Sequence, residues 1–386
     1  MSKWQQIKLG DIVYIKTGKL DSNAAETNGI YPFFTCDPQT LRINTWAYDQ
    51  EAVLLAGNNA SGNYSAKYYR GRFNAYQRTY IISSKSDTIL LNRFLAYALN
   101  LKLQYLKNIS SGATTKFLTL SMLNNLSINL PPIEIQRKIA DVLSVYDDLI
   151  ENNRKQIKLL EEAAQRLYKE WFIDLRFPGH ETTKIINGIP DVWERKKLIE
   201  IADIQYGYAF DGSLFNSAGK GTPIVRIRNI PTGTTEDYTT ESADSQYLVK
   251  EGDILVGMDG EFHINTWCGE SAYLVQRTCR IMPKNADMRG FLLLAIYDPI
   301  KFFEKTVVGA TVAHLGKKHL DTIVLTIPTP DLYSQFQEFF FKRQNLMIQN
   351  RKLAEARDRL LPKLMNGELI ETRNSLLTKL TNITFK

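Results

Sequence analysis

Cysteine, histidine and long apolar runs are all scarce in this chain. Its 3 cysteines (Cys36, Cys268, Cys279) are too few and too unpatterned for a disulfide framework or a thiolate zinc site, and they point to a reducing compartment. The 4 histidines (His180, His263, His314, His319) lack metal-ligand spacing. His314 and His319, five apart, would fall on different faces of a helix. No apolar run approaches the roughly 20 residues of a membrane span. The start, MSKWQQIKLG, has no apolar h-region, so no secretory signal is expected and the location expected is the cytoplasm.

Catalytic patterns are missing too. Gly219-Lys220-Gly221-Thr222 lacks the G-x-x-x-x-G-K-[ST] frame that cradles phosphates. Pro190-Asp191 with Glu194-Arg195-Lys196 mimics a metal nuclease site, but such sites take carboxylates from two adjacent strands, and here a turn leading into a strand is expected. Asn129-Leu130-Pro131-Pro132-Ile133 interrupts the Asn-Pro-Pro-aromatic order of amino-methyltransferases with a leucine, and no glycine-rich cofactor loop follows a strand. The chain is expected to be no enzyme, and to hold no metal or cofactor of its own.

What is present is ordinary globular composition, 44% hydrophobic and 23% charged, over 386 residues, a length for two or three domains. The net charge of +7 is uneven: residues 1–131 carry +7, 132–180 carry −1, 181–328 carry −3 and 329–386 carry +4. A basic first segment fits phosphate neutralisation.

The chain is also an internal repeat. WQQIKLGDIVYIKTG (4–18) and WERKKLIEIADIQYG (193–207) share Trp, Lys, Leu, Ile, Ile and Gly at one offset of 189. Gly112-Ala113-Thr114 matches Gly309-Ala310-Thr311, Leu118 matches Leu315, Pro131 matches Pro328, and Asn153-Arg154-Lys155 matches Asn350-Arg351-Lys352, all at 197. Gln77-Arg78-Thr79 matches Gln276-Arg277-Thr278. The recurrence of Ile43-Asn44-Thr45-Trp46 as Ile264-Asn265-Thr266-Trp267 breaks this order and reads as chance. Each repeat lays out short apolar strands (Ile12–Ile15, Val53–Leu55, Tyr80–Ile82; Ile224–Ile227, Ile254–Val256, Tyr273–Val275), a helix (Leu91–Lys102; Gly290–Ile300), and a strand into a proline stop. A long helix follows.

From Ile133 to about Phe172 there is no Gly or Pro, and Ile139, Val142, Tyr146, Leu149, Asn153, Ile157, Leu160, Ala164, Leu167 and Trp171 trace one seam. Phe336, Phe339, Leu346, Asn350, Leu353, Leu360 and Leu364 trace another, with Pro362 predicting a kink or a late break. Two such helices need a partner, and the obvious one is each other. A helix of about 40 residues spans roughly 60 Å, more than the ~34 Å of one DNA turn. Asn153 and Asn350 hold equivalent places, either as polar residues on a solvated edge or as buried amides that fix helix register.

These features resemble the specificity subunit of Type I restriction-modification enzymes. The likeness lies in NISSGATTKFLTLSMLNNLSINLPPIEIQRKIADVL, LEEAAQRLYKEWFIDLRFPGHE, IPDVWERKKL and RLLPKLMNGEL, and covers nearly the whole chain. It implies an α+β fold of two similar target recognition domains, mixed sheets with helices, separated by two long antiparallel helices in a coiled coil with pseudo-twofold repeat. Residues 1–131 would be recognition domain 1, 132–187 the first conserved helix and linker, 188–328 recognition domain 2, 329–367 the second helix and 368–386 a tail. It implies a non-catalytic subunit whose domains each read half of a bipartite target on double-stranded DNA, with the helices setting the spacer. Two methylation subunits using S-adenosylmethionine would dock on it, and restriction subunits supplying the ATP- and Mg-dependent motor and nuclease would join; no membrane is involved. The second repeat departs from the family in IPTPDLYSQ, where the first keeps PPIEIQR. A helical-hairpin scaffold that binds proteins instead of DNA is the alternative.

Base readout needs paired donors and acceptors, Arg for guanine and Asn or Gln for adenine. In AGNNASGNYSAKYYRGRF, the amides Asn58 and Asn59 stand with Lys67, Arg70, Arg72 and the aromatics Tyr64, Tyr68 and Tyr69. The second repeat offers Arg226, Arg228 and Asn229, then His263 and Asn265 in GMDGEFHINTW. Each alone also fits a solvated charge or a core-edge ring. Arg78 and Arg277 recur, which points to a shared structural or phosphate role, and Lys116 follows Gly112 in the first repeat only.

Overall fold

The computed structural model describes residues 4–368 apart from 60–61, 63, 113–114 and 307–312, so the matched tripeptide Gly309-Ala310-Thr311 and the tail beyond 368 lie outside the described residues. The chain forms two compact units, residues 1–147 with 355–386, and residues 148–354. Residues of each long helix fall in both units.

The repeat seen in sequence is a repeat of topology. In the first unit, strand Gln5–Lys8 pairs antiparallel with Ser127–Leu130, a helical turn covers Leu9–Ile12, and strand Val13–Thr17 follows. In the second, Glu194–Lys197 pairs with Val324–Ile327, Leu198–Ile201 makes the turn, and Ala202–Tyr206 follows. The nuclease-like Pro190-to-Lys196 stretch is thus a turn into a strand. The strand expected at Ile12–Ile15 starts at Val13, because Ile12 closes the helical turn and is buried.

Both strands end on a glycine for one physical reason. A Cβ on Gly18 would stand 2.1 Å from the Ala75 carbonyl oxygen, and one on Gly207 would stand 2.0 Å from that of Val275. The main chain passes too close there for any side chain.

Sheet order is Val13–Thr17, Thr79–Ser84, Tyr48–Ala56, Ala66–Ala75, Tyr31–Phe34 and Leu41–Ile43 in the first unit. The second begins alike, with Ala202–Tyr206, Thr278–Pro283, Ile254–Gly257 and Ile264–Thr266. It then breaks: Trp267 turns inward with 0% exposure, and the chain resumes as Ala272–Leu274 in a second sheet beside Thr222–Val225. Ile43–Trp46 and Ile264–Trp267 thus occupy different places in the two sheets, and their shared sequence carries no shared role.

One helix, Asn92–Ile109, packs on the first sheet. The single helix expected over Gly290–Ile300 is instead two, Arg289–Ala295 and Tyr297–Thr306. Pro299 explains the break, since it has no N–H to give and its ring would meet the carbonyl of Ala295 four residues back.

The first long helix runs Ile133–Tyr168 and widens into a π turn over Lys169–Ile173, where the Asp174 N–H donates to the Lys169 carbonyl at 2.8 Å. The second runs Phe336–Met365, and continues through Pro362 because a proline in the last turn removes a single hydrogen bond. The buried stripe differs in detail from the one traced in sequence. Leu149 is 42% exposed while Leu143 and Ile150 are buried, and Phe340, with Gln344, is buried where Phe339 was expected.

Each unit holds its part of the helix pair inside its own core. Ile139, Ala140, Leu143, Leu361, Leu364 and Met365 merge with Val53, Leu55, Ile82, Phe94 and Leu99 in the first. Trp171, Phe177, Leu332 and Phe336 merge with Val256, Phe262, Ile281 and Phe291 in the second. Polar bonds fix the alignment. In the first unit Arg357 Nη1 donates to Asp147 Oδ1 at 2.6 Å, and Tyr97 donates its hydroxyl to Oδ2 at 2.5 Å. In the second, Arg343 donates to Glu161 at 2.6 Å and Asn153 donates to Gln349 at 3.4 Å, so numbering rises on one helix as it falls on the other. The helices in that unit are antiparallel. Asn153 is 6% exposed and the Asn350 side-chain oxygen is buried without a hydrogen-bond partner, so both amides face into the pair rather than onto a solvated edge.

The divergent IPTPDLYSQ adds a turn, Pro330–Tyr333, ahead of the second helix. Beyond it Gln337 does what Gln136 does in the first unit. Gln136 accepts from the Leu91 N–H at 3.0 Å and donates to the Ile89 carbonyl at 2.8 Å. Gln337 accepts from the Gly290 N–H at 2.7 Å and donates to the Ala286 carbonyl at 2.8 Å. Each glutamine satisfies main-chain groups at a helix start that would otherwise lack partners. Among the described residues no helix is long and apolar enough to cross a membrane.

Gly18→Ala and Gly207→Ala are expected to destabilise their units by about 1–3 kcal/mol through overpacking. At ~2–4 °C per kcal/mol for units of this size, calorimetry should resolve the loss. Gly212→Ala, where a Cβ meets nothing within 4 Å, is expected to leave the unfolding temperature unchanged.

Candidate nucleic-acid interface

At Gly57 three segments of the first unit converge. The Gly57 N–H donates to the Arg78 carbonyl at 2.9 Å, and the Leu118 N–H donates to the Gly57 carbonyl at 2.8 Å. The next residues, Asn58–Asn59, form a short antiparallel ladder with Lys116–Phe117, pairing Asn58 with Phe117 and Asn59 with Lys116. Ser111 and Phe117 exchange main-chain hydrogen bonds, closing a tight loop whose Gly112 (φ 106°) would, with a Cβ, lie 2.0 Å from the Thr115 carbonyl oxygen. Gly62 lies against the aliphatic stems of Lys107 and Lys116. Asn58, Asn59, Arg78 and Lys116 therefore meet at one end of the sheet, with Lys107, which the sequence reading did not single out.

The remaining candidates of the first unit lie elsewhere. Along strand Ala66–Ala75 successive side chains alternate faces. Arg70 and Arg72 point one way, opposite Glu51 and Asp49 in register, and Arg72 binds Asp49 at 3.1 Å and covers the Trp46 ring at 4.8 Å. Lys67 points the other way and donates to the Asp37 carbonyl and the Thr40 hydroxyl. Six residues separate Ala66 from Arg72, roughly 20 Å of strand. The tyrosines belong to the core rather than to a stacking platform. Tyr64 is 7% exposed, Tyr69 packs on Phe34 and Phe73, and Tyr68 donates to Glu51 with its hydroxyl pushed up to about 12 by burial and that carboxylate.

The second unit builds the same junction. The Met258 N–H donates to the Arg277 carbonyl at 2.9 Å, and the Leu315 N–H donates to the Met258 carbonyl at 2.7 Å. Asp259 bridges His314 just as Asn58 pairs with Phe117. Here the side chains interact as well. Asp259 accepts from Arg277 Nη1 at 2.7 Å on Oδ2 and from His314 Nδ1 at 2.5 Å on Oδ1. The Asp259 side chain is 14% exposed, whereas those of Arg277 and His314 are 69% and 60% exposed. Arg277 adopts φ 66°, a left-handed conformation that Arg78 does not share.

Near this junction lie the other candidates of the second unit. Ile227, in the helical turn Ile227–Asn229, packs on Gly257. Arg226 covers the Phe215 ring at 5.5 Å. Arg228 makes a two-pronged ion pair with Asp237, which also accepts from Asn229 Nδ2 at 3.2 Å, and Asn229 Oδ1 takes the Arg226 N–H at 2.8 Å. Asn229 is 9% exposed and committed to the fold. His263 sits 3.5 Å from Glu261 on the loop after Asp259. Asn265 is internal too, donating to the Ile230 and Pro231 carbonyls and accepting from Arg343 Nη2 at 2.7 Å. Burial raises the Cys268 thiol to about 11 and the Cys279 thiol to about 12, so neither is a nucleophile at neutral pH. No cluster of three or more His, Cys, Asp or Glu able to hold a metal is present among the described residues.

Asp259 and His314 went unrecognised as DNA-reading candidates in the sequence. A signal existed: VLLAGNN and ILVGMDG align at an offset of 201, which lays Asp259 on Asn58, and the register of Leu118 and Leu315 lays His314 on Phe117.

Comparisons with known proteins agree with this duplicated plan. The family model described as Type I restriction modification DNA specificity domain matches twice, over residues 1–162 and 190–344. The MjaIX specificity subunit of Methanocaldococcus jannaschii is 30% identical over 300 residues, 72% of this chain and 69% of that protein. The EcoDI specificity subunit of Escherichia coli is 32% identical over 224 residues, 52% of this chain, and the match spans about half (49%) of that relative's length. A solved S subunit from M. genitalium has a similar fold, with a TM-score of 0.55 at 18% identity, covering 94% of this chain and 96% of that one.

Asp237→Ala should destabilise the second unit by about 1–3 kcal/mol, since it strips partners from Arg228 and from buried Asn229. Arg228→Ala, at an exposed ion pair, is expected to cost under ~1 kcal/mol. Thermal unfolding of the two variants side by side checks the order.

Proposed function

The chain belongs to the family of Type I restriction-modification DNA specificity domains, and from that premise we propose that it is the non-catalytic subunit that directs such a complex to its DNA target. Each unit reads one half of a bipartite sequence on double-stranded DNA through the junction at Gly57 or at Met258. The observation that carries this reading is the pairing of a constant main-chain junction with different side chains. Amides and lysines occupy the first junction, and an Asp–Arg–His set occupies the second. Two modules with one docking geometry and two chemistries suit two different half-sites. Bases are discriminated by donor and acceptor patterns in the major groove, while phosphates fix orientation.

In this reading the paired helices set the spacer between half-sites. They also offer exposed apolar residues, Leu159 at 64% and Phe341 at 52%, to two methylation subunits. The methyl donor S-adenosylmethionine, ATP and Mg belong to the methylation and restriction subunits, and the complex works in the cytoplasm. Lys107 and Lys116, with the first segment's +7 charge, supply phosphate contacts, so the first unit provides more of the salt-sensitive affinity. Asn153 and Asn350 fix the register of the helices.

Replacing residues 1–131 with the matching domain of another family member should change one half of the sequence selected by the assembled complex and leave the other half and the spacer unaltered. A change in both halves contradicts the modular reading, and binding without sequence preference favours a protein scaffold. Lys116→Ala is expected to weaken binding evenly across sequences, and to reduce the slope of log affinity against log salt by about 1. Salt titration of a gel shift measures both.

A further inference from the structure

The residue pair Arg78 and Arg277 recurs in the repeat, but its surroundings do not. Asn58 stands beside the first junction, whereas the second has a carboxylate. Asp259 is held by its ladder to His314 and by the neighbouring Gly260 N–H, which donates to the Ala313 carbonyl at 3.0 Å. Its two oxygens are divided between two outward side chains, one each. An exposed arginine ordinarily samples many rotamers, and ordering it costs side-chain entropy. Here a mostly buried carboxylate orders it in advance.

The remaining valences define what the pair can recognise. A guanidinium has five N–H donors in a planar fork, and Asp259 engages Nη1 alone. Among the described residues, donors on Nη2 and Nε remain, a parallel pair matched to O6 and N7 of guanine. Because a carboxylate only accepts, His314 donates from Nδ1, and its side chain stays 60% exposed. The left-handed backbone at Arg277 is an uncommon conformation for a side chain of this size, and it marks the position at which the turn aims the guanidinium.

We propose that Asp259 is a positioning residue that presents Arg277, with His314 alongside, to a guanine in the major groove of the second half-site. This rests on the DNA-reading role proposed above and names the base that one position reads. Arg78 lacks the carboxylate, so the same residue type in the first unit serves as a phosphate contact. Recurrence of the arginine thus conceals two different roles.

The test is selection from a randomised duplex library by the full chain assembled with its methylation subunits. Wild type should yield a bipartite motif. Arg277→Ala should abolish a guanine preference at one position of one half, a loss of about 5- to 150-fold against the other bases, with the other half unchanged. Arg277→Lys keeps the charge but not the fork, and should lose the same preference while retaining overall affinity. Asp259→Asn and His314→Phe, the residue found at the first junction, should weaken that preference although Asp259 reaches no base; thermal unfolding of each confirms that the unit is folded. An even loss across all sequences with a salt slope reduced by about 1 would mean a phosphate contact and overturn the proposal, as would preserved guanine preference in Arg277→Lys. If wild type itself selects no bipartite motif, the DNA-reading role fails first, and the two failures are distinguishable.

Discussion

A helix of 36 residues with one apolar stripe cannot stand alone in water, and the rest of this fold answers that constraint. Leu143 and Ile150 on the first helix, and Phe340 and Leu364 on the second, are buried. Part of each stripe is covered by the other helix and part by a sheet domain's own core. Each core therefore extends into the helices without a seam, as Phe94 with Leu143 and Phe291 with Phe336 illustrate. The polar bonds at Asp147, Glu161 and Arg343 add direction to what the apolar contacts hold. They set which residues of two nearly featureless rods lie opposite one another.

On that support each unit repeats a single junction. A central strand ends, its next main-chain N–H meets the turn carrying Arg78 or Arg277, and its carbonyl meets the segment carrying Leu118 or Leu315. Those bonds involve only main-chain atoms, so the side chains beside them are free to differ. That separation of geometry from chemistry makes the ends of the two sheets comparable in shape and unlike in the groups they present.

Much of this was legible in the sequence. The duplication, the long helices and several of the strands follow from apolar periodicity and matched blocks, which are local signals. The grouping of functional side chains was not, because it depends on long-range pairing. AGNNASGNYSAKYYRGRF looks like one basic, amide-rich cluster, yet strand alternation and length send Arg70 and Arg72 far from Asn58 and put Lys67 on the other face. Asn229 looks like a base reader, but Asp237, eight residues away, claims it. Asp259 and His314 lie 55 residues apart and meet only through the bridge beside Met258. Pro299, visible in the sequence, splits a helix that its apolar content alone would have kept whole.

Gln136 and Gln337 each bind a carbonyl and an N–H at the start of a domain helix, and the partner atoms of these bonds all belong to the main chain. Such a joint is blind to the identity of the residues it holds. A sheet domain could be wholly rewritten in sequence, and still seat on the same glutamine, provided its helix begins at the same place. The attachment is thus a universal fitting, and the helix that carries it needs no redesign when the domain's side chains change.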